Sequence, residues 1–248
     1  VAGPLYEGLA AKLRELIKSG QVEPGGHLPS EADLVSQHKV SRHTVRQALA
    51  MLAREGLITS GQGRGWFVRD SQPLVWTASR PERNTRTDIS PADSWSLDVR
   101  QQGRTPSERI TVSIMVAEPP VADRLALGPS DLVVARQRLR YVDGEISTLA
   151  DSFYPNDIVK DSPVAQPGDV LPGVYAVMEQ LGFGWVRHRD ELWSRPASRD
   201  EADLFGLGPG VAVVQHIRTR FTEAGTPVAV TVTIAPGDRV VIVYEGES

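Results

Sequence analysis

Two twenty-residue stretches of this chain align without a gap at an offset of 80: ADRLALGPSDLVVARQRLRY at 122–141 and ADLFGLGPGVAVVQHIRTRF at 202–221. Each reads as a helix, a Gly-Pro turn and a strand, followed by a second turn (VDGE, TEAGT) and another strand. The period is far longer than that of a solenoid. Two copies of one helix–hairpin unit instead predict a pseudo-symmetric sheet with a cleft between its halves. Alternating apolar residues place strands at 110–116, 133–142, 147–153, 191–194, 213–221, 228–234 and 240–244. Helical spacing marks 94–102, 120–125, 174–181 and 199–205. The expected class is α+β with a largely antiparallel sheet.

The first 70 residues follow a different rule. Leu5, Leu9, Leu13, Leu16 and Ile17 recur at helical spacing, and Gly20 stops the run. After the breaker EPGGHLP, Ser30 opens a second helix with Asp33 three residues on, a capping-box arrangement. Ser41 caps a third, in which Val45, Ala48, Leu49 and Leu52 form the inward stripe and Gly56 closes the turn. LITS and WFVR flank the glycine-rich GQGRG and read as a two-stranded ribbon. Paired helices, a tight turn and a ribbon make a winged helix-turn-helix.

Such a unit sets the N-terminal end of its second paired helix into the major groove of DNA. Ser41, Arg42, His43, Thr44 and Arg46 occupy the first two turns of that helix, opposite its apolar stripe. Arginine can donate two hydrogen bonds to guanine, and hydroxyls suit phosphates. At the ribbon tip Arg64 adds a cation, while Gly63 and Gly65 let backbone approach a phosphate. Taken as a whole, the net charge of −4 opposes an anionic partner, but it is unevenly distributed. Residues 1–70 carry nine Lys/Arg against seven Asp/Glu, and the remainder 18 against 24. The expected partner is double-stranded DNA with a palindromic operator, bound by a homodimer, since one module alone binds weakly at physiological salt.

The stretch LPSEADLVSQHKVSRHTVRQALAMLAREGLITSGQGRGWFV resembles the DNA-binding domain of GntR-family bacterial transcription regulators. The resemblance places Arg42, Thr44, Arg46 and Gly63 on DNA-contacting positions. It departs at Ala32, where the family usually has arginine, and at Trp66, which replaces a common threonine. Downstream, RLRYVDGE at 138–145, EADLFGLGPG at 201–210, GTPVAV at 225–230 and PGDR at 236–239 resemble the UTRA effector domain of the HutC subfamily, a chorismate-lyase-like fold used for sensing. The domains expected are 1–70 for DNA binding, 71–93 as linker with a short strand at LVWTA, and 94–248 for the effector.

Arg136, Arg138 and Arg140 alternate along one strand and so share a face, with Leu139 and Tyr141 on the other. A row of like charges gains little unless solvent or an anion neutralises it. In sugar-phosphate-sensing members of that subfamily, the arginines matching Arg138 and Arg140 bind phosphate, and the stretches matching Ser94 and Gly173 to Tyr175 border the ligand. Those members have glutamates where this chain has Ala150 and Ala229, and a tyrosine at Ala235; Asp151 could substitute after a one-residue shift. The expected effector is an anionic metabolite with a larger or more apolar body than an amino-sugar phosphate. Its binding would release a repressor from DNA.

Other functions find less support. The five histidines, 27, 38, 43, 188 and 216, have no metal-ligand spacing, and no nucleophile with its base or phosphate loop is present. HRDEL at 188–192 superficially resembles a kinase catalytic loop but lacks its downstream asparagine. No enzyme, cofactor or metal is expected; the alternatives are an enzyme on a chorismate-lyase-like fold and a constitutive DNA binder. With no cysteine, no signal-peptide layout and no apolar run near the ~18 residues of a membrane span, a cytoplasmic location is expected.

Overall fold

In a computed structural model, residues 4–61, 65–68, 73–79, 94–207 and 211–246 are described. They fall into two compact units, one drawn from residues 1–73 and 196–211, the other from 74–195 and 212–248.

Besides the helix at 199–205, the first unit contains α1 (Leu5–Lys18), α2 (Glu31–His38), α3 (Arg42–Arg54), β1 (Ile58–Gly61) and β2 (Gly65–Val68). Its core draws Leu9 and Leu13 from α1, Leu34 from α2, and Val45, Ala48, Leu49 and Leu52 from α3. Ile58 and Val68 of the ribbon complete it. The α3 residues repeat at the spacing of one helix face, and each buried leucine contributes about 1.5–3 kcal/mol. Leu5, expected on the inner stripe, is exposed at the helix end. Ser30 and Asp33 form the reciprocal capping box, and Lys39 ends α2 in the left-handed conformation. β1 and β2 pair antiparallel from Ile58↔Val68 to Gly61↔Gly65.

The second unit is built on a six-stranded sheet, ordered β4-β5-β6-β9-β8-β7. Its strands are β4 (Pro106–Val116), β5 (Leu132–Val142), β6 (Glu145–Pro155), β7 (Arg187–Pro196), β8 (Ala212–Phe221) and β9 (Pro227–Pro236). Along the chain, α5 (Pro119–Leu125) follows β4 and α8 (Arg199–Phe205) follows β7, so the element order repeats as the sequence repeat requires. The two hairpins meet along β6 and β9, antiparallel, with Asp151 opposite Val232. Both break register at equivalent places, Arg140/Tyr141 and Arg220/Phe221.

Two turns depend on left-handed backbone. Asp143 and Gly144 both adopt positive φ, the conformation a two-residue hairpin turn demands. The end of α8 is left-handed at Gly206, whereas its counterpart at the end of α5 is Ala126 (φ 54°), a position that costs about 1–2 kcal/mol without glycine.

A second, two-stranded sheet joins chain segments far apart. β3 (Leu74–Thr77), inside the stretch expected as linker, pairs in parallel with β10 (Val240–Val243). The other edge of β3 is held by side chains of α4 (Ser94–Gln101) and the residue after it. Asp98 accepts from the Thr77 N–H at 2.7 Å, and Gln102 both accepts from and donates to the backbone of Val75. Trp95 and Val99 pack with Leu74, Trp76 and Val142 beneath this layer. The short helix α6 (Asn156–Val159) and the helix α7 (Val174–Gln180) close the remaining side of the sheet around Tyr154, Val164 and Met178.

Candidate functional site

In the first unit, Ser41 caps α3. Its Oγ accepts the Thr44 N–H at 3.1 Å and lies 2.9 Å from Thr44 Oγ1. The first turn of α3 carries no acidic residue, so its partial positive charge is left for an external anion. Arg42 and His43 are exposed beside it, and Thr44 is half-buried. Arg46 is exposed too, but Nε donates to Glu31 Oε2 of α2 at 3.0 Å. Sequence reasoning did not foresee that pair, which joins residues 15 apart on different helices. A pair so open to solvent is worth about 0–1 kcal/mol, and a phosphate or guanine can replace the carboxylate at little cost. Gly63 and Arg64 lie outside the described residues.

In the second unit, one face of the sheet floors a cavity of about 520 Å³, walled by α4, by β3 and by residues 169–175. The alternation of β5 brings Arg136, Arg138 and Arg140 to that face, and β8 brings Arg218 and Arg220. Ser94, Gly173 and Tyr175 border it as well. Asp151 does not. Register along β5 and β6 is unbroken there, so Ala150 and Ser152 face the cavity and Asp151 the opposite side, beside Gln137. A one-residue shift would have turned every side chain over, which is why the substitution suggested for Asp151 fails.

The five arginines are not equivalent. Arg136 is fully buried, and its guanidinium donates to the carbonyls of Val164, Gln166 and Gly168, pinning that segment. It lines the cavity, as expected, and clamps that segment as well. Burial first, and the neighbouring Arg138 cation second, lower its pKa. Arg138 donates to Ser152 Oγ at 3.2 Å and has Glu108 Oε1 3.8 Å from its Nε. Arg140 donates to Glu108 Oε2 at 3.2 Å and lies over the Trp95 ring, 4.7 Å from its centre. One carboxylate thus serves two guanidiniums. Burial raises the pKa of Glu108 despite the opposing pull of Arg138, and the like charge of Asp169 adds to the rise.

Arg218 is held differently. Its Nε and Nη2 grip both oxygens of Asp190 at 2.7 Å, and Nη2 also donates to the Ala78 carbonyl at 2.6 Å. Burial alone would raise the Asp190 pKa, but hydrogen bonds from Arg218 and His216 hold it far below the carboxylate range. His216 Nε2 sits 3.0 Å from both Asp190 Oδ1 and the Tyr244 hydroxyl. Burial, then the Asp190 charge, pushes that phenol up to about 12. Arg220 donates to Thr231 Oγ1 at 2.8 Å and lies 5.2 Å from the centre of the Trp185 ring. Thr231 in turn is 3.0 Å from Ser152 Oγ, which links the two halves across the sheet.

Sequence reasoning missed Glu108, Asp190, Arg218 and Arg220 as members of the site. The repeat carried the signal for the arginines, since Arg218 and Arg220 align with Arg138 and Arg140. No comparable signal marked the carboxylates. Among the described residues no cluster of three His, Asp or Glu could hold a metal ion, and no helix is long and apolar enough to cross a membrane.

Comparison with known proteins agrees with both halves. Residues 5–68 match the model of the gntR family of bacterial regulatory proteins, and residues 101–241 match the UTRA domain. The HTH-type transcriptional repressor NagR of Bacillus subtilis is 27% identical over 97% of this chain and 94% of its own length. The HTH-type transcriptional regulator Rv0792c of Mycobacterium tuberculosis is 31% identical, covering 92% of this chain and 81% of that protein. The mannosyl-D-glycerate transport/metabolism system repressor MngR of Escherichia coli is 30% identical over 83% and 75%. Among solved structures, PhnF from Mycobacterium smegmatis superposes with a TM-score of 0.57 at 18% identity, over 96% of this chain and 99% of that one, a likeness of fold.

Proposed function

This chain belongs to the GntR family of bacterial regulatory proteins and carries a UTRA effector domain, a DNA-binding transcription regulator from which we propose a metabolite-released repressor. In this reading residues 1–70 bind a palindromic operator as one half of a homodimer, and residues 94–248 hold the effector. Ser41, Arg42, His43, Thr44 and Arg46 meet the major groove, with Gly63 and Arg64 on the adjoining phosphates. The exposed first turn of α3, free of acidic side chains, supports that assignment. Two of the relatives are named repressors, which supports the direction of control.

The observation that carries the effector reading is the charge of the cavity. Among the described residues six arginines line it, the five above and Arg100, against two carboxylates, Glu108 and Asp169. Asp190, paired to Arg218, adds a third negative charge. The balance remains positive in a concave recess, where like charges focus their field on an anion. Trp76, Trp95, Tyr175 and Trp185 supply aromatic wall, so the bound anion has an apolar body. MngR is named for mannosyl-D-glycerate, whose glycerate is a carboxylate, and that accords with an anionic ligand. Effector binding lowers operator affinity only by as much as it distinguishes two placements of the DNA-binding domains.

Selection of duplexes from a random library tests the DNA half. A palindromic sequence should be enriched, and Arg46→Ala should weaken its binding by about 1–3 kcal/mol and relax preference at one base pair of each half-site. Failure to enrich any duplex over random competitor overturns the assignment. Calorimetry tests the effector half: tight binding of glucosamine 6-phosphate would refute the larger, more apolar anion.

A further inference from the structure

Of the five sheet arginines, Arg136, Arg140 and Arg218 are buried, whereas Arg138 and Arg220 are half-buried. These two come from different halves of the sheet and are not equivalents in the repeat. The equivalent of Arg138 is Arg218, which holds Asp190 and Ala78. Each of the two stands opposite an alanine on the neighbouring strand, Arg138 opposite Ala150 of β6 and Arg220 opposite Ala229 of β9. A methyl group there leaves room for a guanidinium to lean across the strand. Both lean toward the seam between the halves, where Ser152 of β6 is paired with Thr231 of β9. Arg138 Nη1 donates to Ser152 Oγ at 3.2 Å, and Arg220 Nη1 donates to Thr231 Oγ1 at 2.8 Å.

One proton in this network has no acceptor. The two hydroxyls are 3.0 Å apart and share a single hydrogen bond, which uses one of their two protons. The guanidiniums only donate, so they take up neither proton. Whichever hydroxyl donates to the other, one O–H is left over among the described residues. Arg138, Arg220 and Thr231 all line the cavity and none is buried, so the surplus lies where a ligand reaches. Donors thus approach one point from β5, from β8 and from the sheet floor. A group with three terminal oxygens, such as a phosphate ester, can meet all three at once.

We propose that a single anionic group of the effector sits on this seam, bridging Arg138 and Arg220 and accepting the spare proton of the Ser152–Thr231 pair. Arg220 and Thr231 are then ligand-binding residues, and the second half of the sheet contributes to the anion seat through Arg220. This rests on the reading of the cavity as an anion site.

Calorimetry of the full chain with phenyl phosphate tests it. One equivalent should bind per chain. Arg220→Gln and Thr231→Val should each weaken it about tenfold, the scale of one hydrogen bond to a charged group. Thr231→Ser keeps the hydroxyl and should bind like the natural protein. Unchanged affinity in Arg220→Gln overturns the bridge, and so does binding of two equivalents, each governed by one arginine. If phenyl phosphate does not bind the natural protein at all, the anion reading itself falls and takes this inference with it. If it binds and only Arg138→Ala removes it, the anion reading stands and the bridge alone fails. Should Arg220→Gln fail to fold, the contrast between Thr231→Val and Thr231→Ser decides, and equal affinities there overturn the proposal.

Discussion

The two halves of the sheet are copies of one unit, yet they use their arginines in opposite ways. In the second half Arg218 is saturated, with both oxygens of Asp190 and the carbonyl of Ala78 on its guanidinium. In the first half its counterpart Arg138 has one hydroxyl and a distant share of a carboxylate that Arg140 also uses. A guanidinium with five donors is satisfied in one case and underused in the other. On the proposed reading the second copy is a brace and the first a receptor. The brace ties the sheet to Ala78, the residue that follows β3, while the receptor keeps positive charge facing the cavity.

The largest effect should come from the brace. Asp190→Asn leaves a nearly buried Arg218 without its counter-charge and should cost about 3–5 kcal/mol of stability in urea denaturation. A loss under 1 kcal/mol would erase the contrast between the halves. The same pair sets an acid limit. The Asp190 pKa is depressed on folding, so its contribution is complete above the ordinary carboxylate value of 3.8 and is lost as the pH falls below it. Acid titration of the Asp190→Asn variant should therefore lack that part of the transition.

Arg138→Ala should act on binding and leave stability nearly untouched. Removing a charge-assisted hydrogen bond weakens an anionic ligand by about 1.5–3 kcal/mol, which calorimetry with phenyl phosphate reads directly. Its denaturation midpoint should stay within about 1 kcal/mol of the natural protein.

Glu108→Gln sharpens the comparison from the other side. On the proposed reading Glu108 competes with an incoming anion for Arg138 and Arg140, and its removal should tighten phenyl phosphate by about 1 kcal/mol. The smallest effect is on pH. Glu108 is already displaced upward by burial, with Arg138 and Arg136 opposing and Asp169 reinforcing the shift. A bound anion raises it further, so binding takes up a proton, and the Glu108 contribution to affinity should increase as the pH falls toward its raised pKa. Glu108→Gln should flatten that dependence.

Most of the fold was legible because each signal was local. Apolar alternation located the seven later strands, and hydroxyl caps located the starts of α2 and α3. Strand ends were less so. β4 begins at Pro106 and β7 at Arg187, four residues before the expected starts, because PSER and RHRD are polar and carry no alternation. α6 is too short to show a period. The pairing of β3 with β10 joins residues at opposite ends of the chain and has no local trace.

The site divides along the same line. Period-two spacing was enough to put three arginines on one face, and parity alone rules out Asp151. Which carboxylate meets which arginine depends on register between strands, as in Glu108 opposite Arg140, and cannot be read from spacing. The clamp role of Arg136 needs the course of residues 164–168, which no periodicity describes.

The most direct test of a receptor half beside a braced half is the shift in urea midpoint that phenyl phosphate produces. Ligand that binds only the folded state stabilises it by RT ln(1 + [L]/Kd), about 2.7 kcal/mol at a hundredfold excess over Kd. The natural protein should show that shift, and Arg138→Ala should start from nearly the same midpoint and show almost none. A shift in Arg138→Ala as large as in the natural protein would contradict the account.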